Sequence, residues 1–463
     1  MLNKITFFSL ISIILIKILA IIYTDFDLFG DEAQYWVWSQ TLDFGYYSKP
    51  PLLSWVIAAF TKLFGNNFES LKAIPLILYI FTSYIVFLLV LKLYKNKKLA
   101  TYCAVSFYLL PAVTVSSFLI STDILLIIFV SLSLIILLKI RENPRYLNFV
   151  LLGIFLGLSF LAKYAAVYFF ISTIILIIFD KKIKNVIFKN FGGVILFFIT
   201  FFLILMPNII WNSKNNWLTL SHTSENVGLE KTGLHFFQGV EFLLSQGVML
   251  GPLLFFSFFI FIKKLVFSFQ TKFLLIFSLP VFLIILIESL LVRANANWAA
   301  FGIIPIYILL FNHLYFYAKK ILIINNIINF MFCFIFFGLI IFSIPMKAFD
   351  RINGISSFTN YFQDGTFEKK QFIVIQDRLL YSSLKYGLRK TDKKIFTPHN
   401  PAHEIKSHFQ LTDALPSQFN KNFIYVGDVS KLKYLKNKFN IQKIKDVDVL
   451  FKKIPLEVYE INF

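Results

Sequence analysis

Apolar runs of about 20 residues, each closed by a short polar connection, recur along the chain and limit what it can fold into. "SLISIILIKILAIIY" begins the pattern at residue 9. A helix of that length matches the hydrocarbon thickness of a bilayer, so the repeated runs predict membrane-spanning helices. They fall near 5–23, 71–94, 99–119, 124–140, 146–161, 165–179, 186–206, 236–262, 271–291, 298–318 and 321–345. The expected fold is a polytopic α-helical membrane protein with about 11 spans, in a range of about 10–13. The run 51–64 is too short to span and reads as an interfacial or re-entrant helix started by the Pro50–Pro51 pair.

Composition agrees. With 463 residues that are 58% hydrophobic, the chain carries more apolar surface than one soluble core can hide. Its net charge of +20 does not point to nucleic acid, because the lysines cluster in the short connections. Cys103 and Cys333 both lie inside apolar runs, so no structural disulfide is expected. The first run lacks a small-residue cleavage site before Asp25 and reads as a helix rather than a signal peptide.

The basic connections set an orientation. With Lys4 in the cytoplasm, the connections 92–98, 139–145, 180–185, Lys263–Lys264 and Lys319–Lys320 fall on the same side, and each is basic. An odd number of spans then places the C-terminus outside. Residues 1–346 form the expected membrane domain, with a first outer loop at 24–70. In residues 347–463, "QFIVIQDRLLYSSLKYGLR" and "NFIYVGDV" read as short strands alternating with helices, hence a small soluble α/β domain. Its mildly basic composition suits an anionic lipid surface or a plain stabilising cap.

This orientation gathers the unusual polar residues at one face. Asp31 and Glu32 open the first outer loop. Asp123 stands before the 124–140 run, Lys163 lies between two runs, and Arg293 ends another. The segment 207–235 adds His222, Glu225, Glu230, Lys231 and His235. Ionisable groups at membrane depth are costly and mark functional sites. Each also has a purely structural reading. Asp123 can cap the following helix, Lys163 can snorkel to the interface, Glu32 can answer a helix dipole, and Arg293 can pair locally. No Walker A, no dinucleotide fingerprint, no HExxH and no cysteine metal site is present in the sequence.

A carboxylate beside several cations at a membrane surface suits group transfer from a lipid phosphate. The carboxylate orients or deprotonates the acceptor. Cations such as Lys49, Lys163 and Arg293 hold the phosphate leaving group. The aromatic stretches "QYWVWSQ" and "GYYS" can pack a sugar or the first isoprenes. A transporter would spread its charges through membrane depth and break helices in matching halves. A scaffold would have no use for Asp123 and Lys163 at one face.

The stretch "DEAQYWVWSQTLDFGYYSKPPLLSWVIAAFTKLFG" (31–65) resembles the first outer loop of bacterial family-39-type glycosyltransferases. These belong to the GT-C superfamily with the protein O-mannosyltransferases and the lipid A aminoarabinose transferases. "STD" at 121–123, "LAKY" at 161–164 and "ANWAAFGIIP" at 296–305 extend the likeness. The resemblance implies a GT-C fold over residues 1–345 and inverting transfer from a polyprenyl-phosphate sugar at the periplasmic face of a bacterial inner membrane. The acceptor would be lipid A, lipopolysaccharide or another envelope glycan, or alternatively a protein. Asp31 would be the catalytic or acceptor-positioning carboxylate, with Glu32 and Asp123 in the catalytic set. Lys49, Lys163 and Arg293 would bind the donor phosphate. Tyr35, Tyr46, Tyr47, His222 and Asn297 are the candidate substrate contacts. No cofactor is implied, and a divalent metal is not indicated. One departure stands out: Ser48 precedes the Lys-Pro step, where the aminoarabinose enzymes carry an acidic residue.

Overall fold

The computed structural model describes residues 2–227, 233–261, 266–344, 346, 349, 355–444, 450–451 and 454–463. Glu230, Lys231, Lys263 and Lys264 lie outside the described residues.

The N-terminal three quarters is a helical bundle. The first outer loop follows α1 (Leu2–Tyr23) and contains α2 (Gly30–Gln40) and α3 (Leu52–Phe64). There follow α4 (Phe68–Tyr94), α5 (Lys97–Tyr108), α6 (Pro111–Ser116), α7 (Thr122–Glu142), α8 (Tyr146–Ala162), α9 (Tyr168–Phe179) and α10 (Lys181–Lys189). The bundle continues with α11 (Phe191–Lys214), α12 (Leu218–Val227), α13 (Phe236–Leu250), α14 (Pro252–Phe261), α15 (Phe269–Ile276), α16 (Leu279–Leu291), α17 (Ala300–Tyr317) and α18 (Lys319–Ile341).

Each expected apolar run is mainly helical over its described residues, but not every run is one continuous helix. Among the described residues, six helices are long and apolar enough to cross a membrane, or seven if a bent pair counts as one. That pair is α13 and α14, which meet at 114°. The run 236–262, read from the sequence as a single span, is therefore broken. Gly251 turns the chain there at φ 91°, and Asn325 Oδ1 accepts a hydrogen bond from the Leu254 N–H at 3.1 Å. That bond satisfies one backbone group that the break frees, as irregular chain at membrane depth requires. The run 99–119 is likewise split between α5 and α6, ahead of Pro111.

The tightest pairing in the bundle runs between α8 and α11. A Cβ at Gly153 would stand 1.9 Å from Thr200 Oγ1, and one at Gly157 would stand 2.8 Å from Ile204 Cβ. Glycines one helical turn apart let the two backbones approach closely. This contact fixes the end of α8, where Lys163 sits.

The two ends of the bundle differ. At one end the basic connections meet: Lys92 pairs with Glu142, and Arg141 Nη2 reaches Asp180 Oδ2 at 2.9 Å. The opposite ends of α4 and α7 carry Lys72 and Asp123 and meet the first outer loop.

The C-terminal part is α/β. It contains α19 (Ile355–Gln363), β1 (Phe372–Ile375), α20 (Arg378–Gly387), β2 (Lys394–Phe396), β3 (Phe423–Val426), β4 (Asn440–Ile444), β5 (Leu450–Phe451), β6 (Ile454–Pro455) and β7 (Val458–Asn462). A five-stranded sheet has the order β2-β1-β3-β7-β4. β1 pairs in parallel with β2 and β3, whereas β7 pairs antiparallel with β3 and β4. The apolar "FIVI" and "FIYV" strands bury their side chains, as expected of central strands covered on both faces.

This part is not a detached cap. A Cβ at Gly30 would lie 2.8 Å from Leu379 Cβ, so only glycine lets α20 settle on the start of α2. Trp36 meets Tyr386 edge-on at 5.0 Å, and the stacked Trp38–Tyr46 pair meets His408. Asp27 accepts from the Ile355 and Ser356 N–H groups, both at 3.1 Å, at the start of α19.

Candidate active site

Two neighbouring carboxylates open α2, and the structure separates them completely. Asp31 keeps 39% of its side chain exposed. Glu32 is 1% exposed and turns inward. Its Oε2 accepts from Lys72 Nζ at 2.6 Å and from the Phe29 N–H at 2.8 Å. Its Oε1 accepts from the Ile120 N–H at 2.8 Å. Lys72 is fully buried, donates to the Phe118 carbonyl at 3.1 Å and lies 4.3 Å from the Phe118 ring centre. Glu32 was expected in the catalytic set; it is instead the anion of a sealed, satisfied ion pair joining α2, α4 and the chain before α7. The helix places residues i and i+1 about 100° apart, so one carboxylate faces the core when the other faces out.

Asp123 lies in the first turn of α7, where the N-cap position belongs to Ser121, and it makes tertiary contacts. Its Oδ1 accepts from Lys163 Nζ at 2.5 Å, and its Oδ2 accepts from Asn297 Nδ2 at 2.7 Å. Lys163 ends α8, where the chain changes to a short 3₁₀ turn at Tyr164–Val167. Asn297 belongs to another such turn, Ala296–Ala299, ahead of α17. Three sequence-predicted residues from three helix ends therefore meet.

Lys163 also lines a cavity of about 410 Å³ with Lys49 and Arg293. The geometry thus assembles all three predicted phosphate-binding cations. Lys49 is held there by a pinned loop. Trp211 packs against Gly45, where a Cβ would lie 2.4 Å from the indole. The Trp211 Nε1–H donates to Asp43 Oδ2 at 2.6 Å, and Asn208 Nδ2 donates to the Phe44 carbonyl at 2.6 Å. Tyr46 bridges back to Lys49 through its N–H, which donates to the Lys49 carbonyl at 3.1 Å. Burial pushes the Lys49 ammonium below the ordinary lysine range; neighbouring Lys163 adds to the shift, while Asp123 and Asp31 oppose it.

The aromatic candidates divide. Tyr46 is fully buried and stacks on Trp38 at 4.7 Å, and its hydroxyl donates to the Trp38 carbonyl at 2.9 Å. It was expected to touch substrate; it is a packing and positioning residue of the loop. Tyr35 is also buried, and burial pushes its phenol upward, helped by the charges of the Asp31 and Asp123 carboxylates. Tyr47 remains partly open, with its ring 4.8 Å from that of His222 on α12. Burial, then the Arg378 and Lys49 charges, hold the His222 imidazole below its ordinary value.

Two residues were not anticipated. Glu288, near the end of α16, lines the same cavity as Lys49, and its buried Oε1 has no hydrogen-bond partner among the described residues. Arg378 comes from the C-terminal part: its Nη1 lies 3.8 Å from Asp31 Oδ1 and donates to Gln34 Oε1. A glutamate ending an apolar run gave a weak signal for Glu288. Nothing local marks Arg378. No group of three His, Cys, Asp or Glu side chains able to hold a metal ion occurs among the described residues.

The chain is similar to known proteins in sequence and in fold. Residues 48–211 match the family described as dolichyl-phosphate-mannose-protein mannosyltransferase. The chain is 27% identical over 417 residues to the lipid A galacturonosyltransferase RgtD of Rhizobium johnstonii, covering 87% of this chain and 86% of that protein. The crystal structure of apo ArnT from Cupriavidus metallidurans superposes with a TM-score of 0.69, over 99% of this chain and 98% of that one, at 11% identity. This likeness shows that the chain has the ArnT fold. The ArnT form bound to undecaprenyl phosphate superposes with the same TM-score of 0.69, at 12% identity. The ArnT fold covers 99% of this chain, beyond residues 1–345 over which the GT-C fold was expected.

Proposed function

We propose that the protein transfers a sugar from a polyprenyl-phosphate carrier to lipid A or a related envelope glycan, at the membrane face opposite its lysine-rich connections. In a bacterial inner membrane that face is periplasmic, and residues 347–463 form a periplasmic domain. The observation that carries the reading is the cavity walled by Lys49, Lys163 and Arg293, with Asp31 close enough to act on the Lys49 charge. RgtD and the undecaprenyl-phosphate-bound ArnT support the same donor and acceptor classes.

The chemistry follows from charge. The donor phosphate enters the cavity. Lys163 already spends one N–H on Asp123, so Lys49 and Arg293 have the larger share of free donors. An acceptor oxygen attacks the anomeric carbon. The bond from that carbon to the phosphate oxygen breaks, and polyprenyl phosphate leaves with the electron pair. Its added charge is met by cations already in place, so little reorganisation is needed. If the acceptor oxygen is a hydroxyl, its proton passes to Asp31; if it is a phosphate oxygen, no proton need move.

A second reading, protein O-glycosylation, is favoured by the match of residues 48–211 to the dolichyl-phosphate-mannose-protein mannosyltransferase family. Mass spectrometry of lipid A and of envelope proteins from the host and a deletion strain separates the two. Loss of one sugar mass from lipid A is expected. Unchanged lipid A with sugar lost from proteins would favour the second reading, and no change in either would sink both.

A further inference from the structure

The cavity has cations enough for one donor phosphate, yet a fourth cation stands beside Asp31. Arg378 does not line the cavity with Lys49, Lys163 and Arg293. It approaches Asp31 from the C-terminal part, across the surface of α2. It is also firmly placed. Asp377 Oδ1 accepts from the Leu379 and Leu380 N–H groups at 2.8 and 2.9 Å, capping α20. The contact between Leu379 and Gly30 then fixes α20 on α2. The backbone that carries Arg378 is thus fixed where its side chain can reach a ligand beside Asp31.

Its present partners do not use it up. The contact to Asp31 is long, at 3.8 Å, and both side chains are substantially exposed, at 45% and 39%. One N–H goes to Gln34. A guanidinium has five N–H donors in a fork that matches the oxygens of a phosphate. His222 and Lys49 are near enough to feel its charge, as are the Glu225 and Glu404 carboxylates that act with it on Tyr47.

We propose that Arg378 binds a phosphate monoester on the acceptor, so that the C-terminal domain selects acceptors while the helical bundle holds the donor. This rests on the transferase reading above. The acceptor phosphate docks from the C-terminal side, the donor phosphate from the cavity side, and Asp31 lies between them. Arg378 also offsets the repulsion that Asp31 would exert on an anionic acceptor.

The test uses the full-length protein in lipid nanodiscs, with undecaprenyl-phosphate-linked galacturonic acid, aminoarabinose and mannose as donors. Acceptors are bisphosphorylated lipid A, the same lipid stripped by phosphatase, and the acyl-free bisphosphorylated disaccharide. No transfer by the wild type with any donor would overturn the transferase reading itself. Given transfer, the wild type is expected to favour phosphorylated over stripped lipid A at least tenfold. Arg378→Gln should raise the acceptor KM about tenfold, leave the donor KM within about twofold and erase that preference, with Arg378→Lys intermediate. Use of the acyl-free disaccharide as well as the lipid would place the recognised phosphate on a soluble headgroup and keep the proposal. Equal use of stripped and phosphorylated lipid A would overturn it, whether or not either variant folds. So would a fall in kcat alone in Arg378→Gln, which would make Arg378 a positioning residue for Asp31.

Discussion

Lys163 and Asp123 lie 40 residues apart in sequence and meet at 2.5 Å, with the Asn297 amide closing on the second carboxylate oxygen at 2.7 Å. The carboxylate is thus an anchor that aims the lysine. The pair is mostly withdrawn from water, at 16% and 11% exposure, so losing one member leaves the other poorly solvated.

The two residues should therefore act as a unit. Asp123→Asn and Lys163→Ala are each expected to lower kcat/KM by about 10- to 100-fold, and the double variant should be little worse than the poorer single one. Steady-state kinetics of the four proteins measures the coupling. Fully additive losses would mean that the contact has no functional weight.

The Glu32–Lys72 pair makes the opposite prediction. Both side chains are essentially inaccessible, so Glu32 should hold structure rather than perform chemistry. Glu32→Gln or Lys72→Met should destabilise the protein by about 3–5 kcal/mol, because each strands a buried charge. Glu32→Leu combined with Lys72→Met should recover part of that loss. Thermal unfolding in detergent reads the first effect, and kcat of the folded fraction should stay within about twofold of wild type. A Glu32→Gln protein that is stable but inactive would return Glu32 to the catalytic set.

Lys49 sets a pH dependence. Its pKa lies below the ordinary lysine value, and phosphate binding needs the ammonium form. The free enzyme therefore loses this cation as pH rises through the lowered value, and kcat/KM should fall on an alkaline limb below the usual lysine range. Donor binding favours the charged form, so the limb in kcat should lie at higher pH. Lys49→Arg stays protonated and should move the kcat/KM limb upward. An alkaline limb that Lys49→Arg leaves in place would assign it to another group.

The bundle was legible because a bilayer demands long apolar helices, and a charge that interrupts one is conspicuous. Asp123, Lys163, Lys49, Arg293 and Asn297 were all visible in this way or through motif resemblance, and the structure brings them to one end of the bundle. Their mutual distances were not legible, since three separate helix ends define them. Glu32 was placed in the catalytic set beside Asp31 because side-chain direction depends on where α2 starts and what packs on it. Tyr46 looked like a substrate platform because a buried stack and an exposed one have the same sequence. The break between α13 and α14 rests on Gly251 and on Asn325 from α18, a partnership formed only by folding. Arg378 was hidden for the same reason: its meaning comes from α20 docking on Gly30, some 350 residues away in the chain.

The central claim is that Asp31 works on a sugar leaving a lipid phosphate held by the neighbouring cations. Its most direct test is a single-turnover assay with the purified protein, an undecaprenyl-phosphate-linked sugar and lipid A, comparing wild type with Asp31→Asn at matched folding. The account predicts that wild type releases undecaprenyl phosphate and glycosylated lipid A in equal amounts. It predicts that Asp31→Asn binds the donor normally but turns over at least about 100-fold more slowly. An Asp31→Asn protein that transfers sugar at the wild-type rate would contradict it.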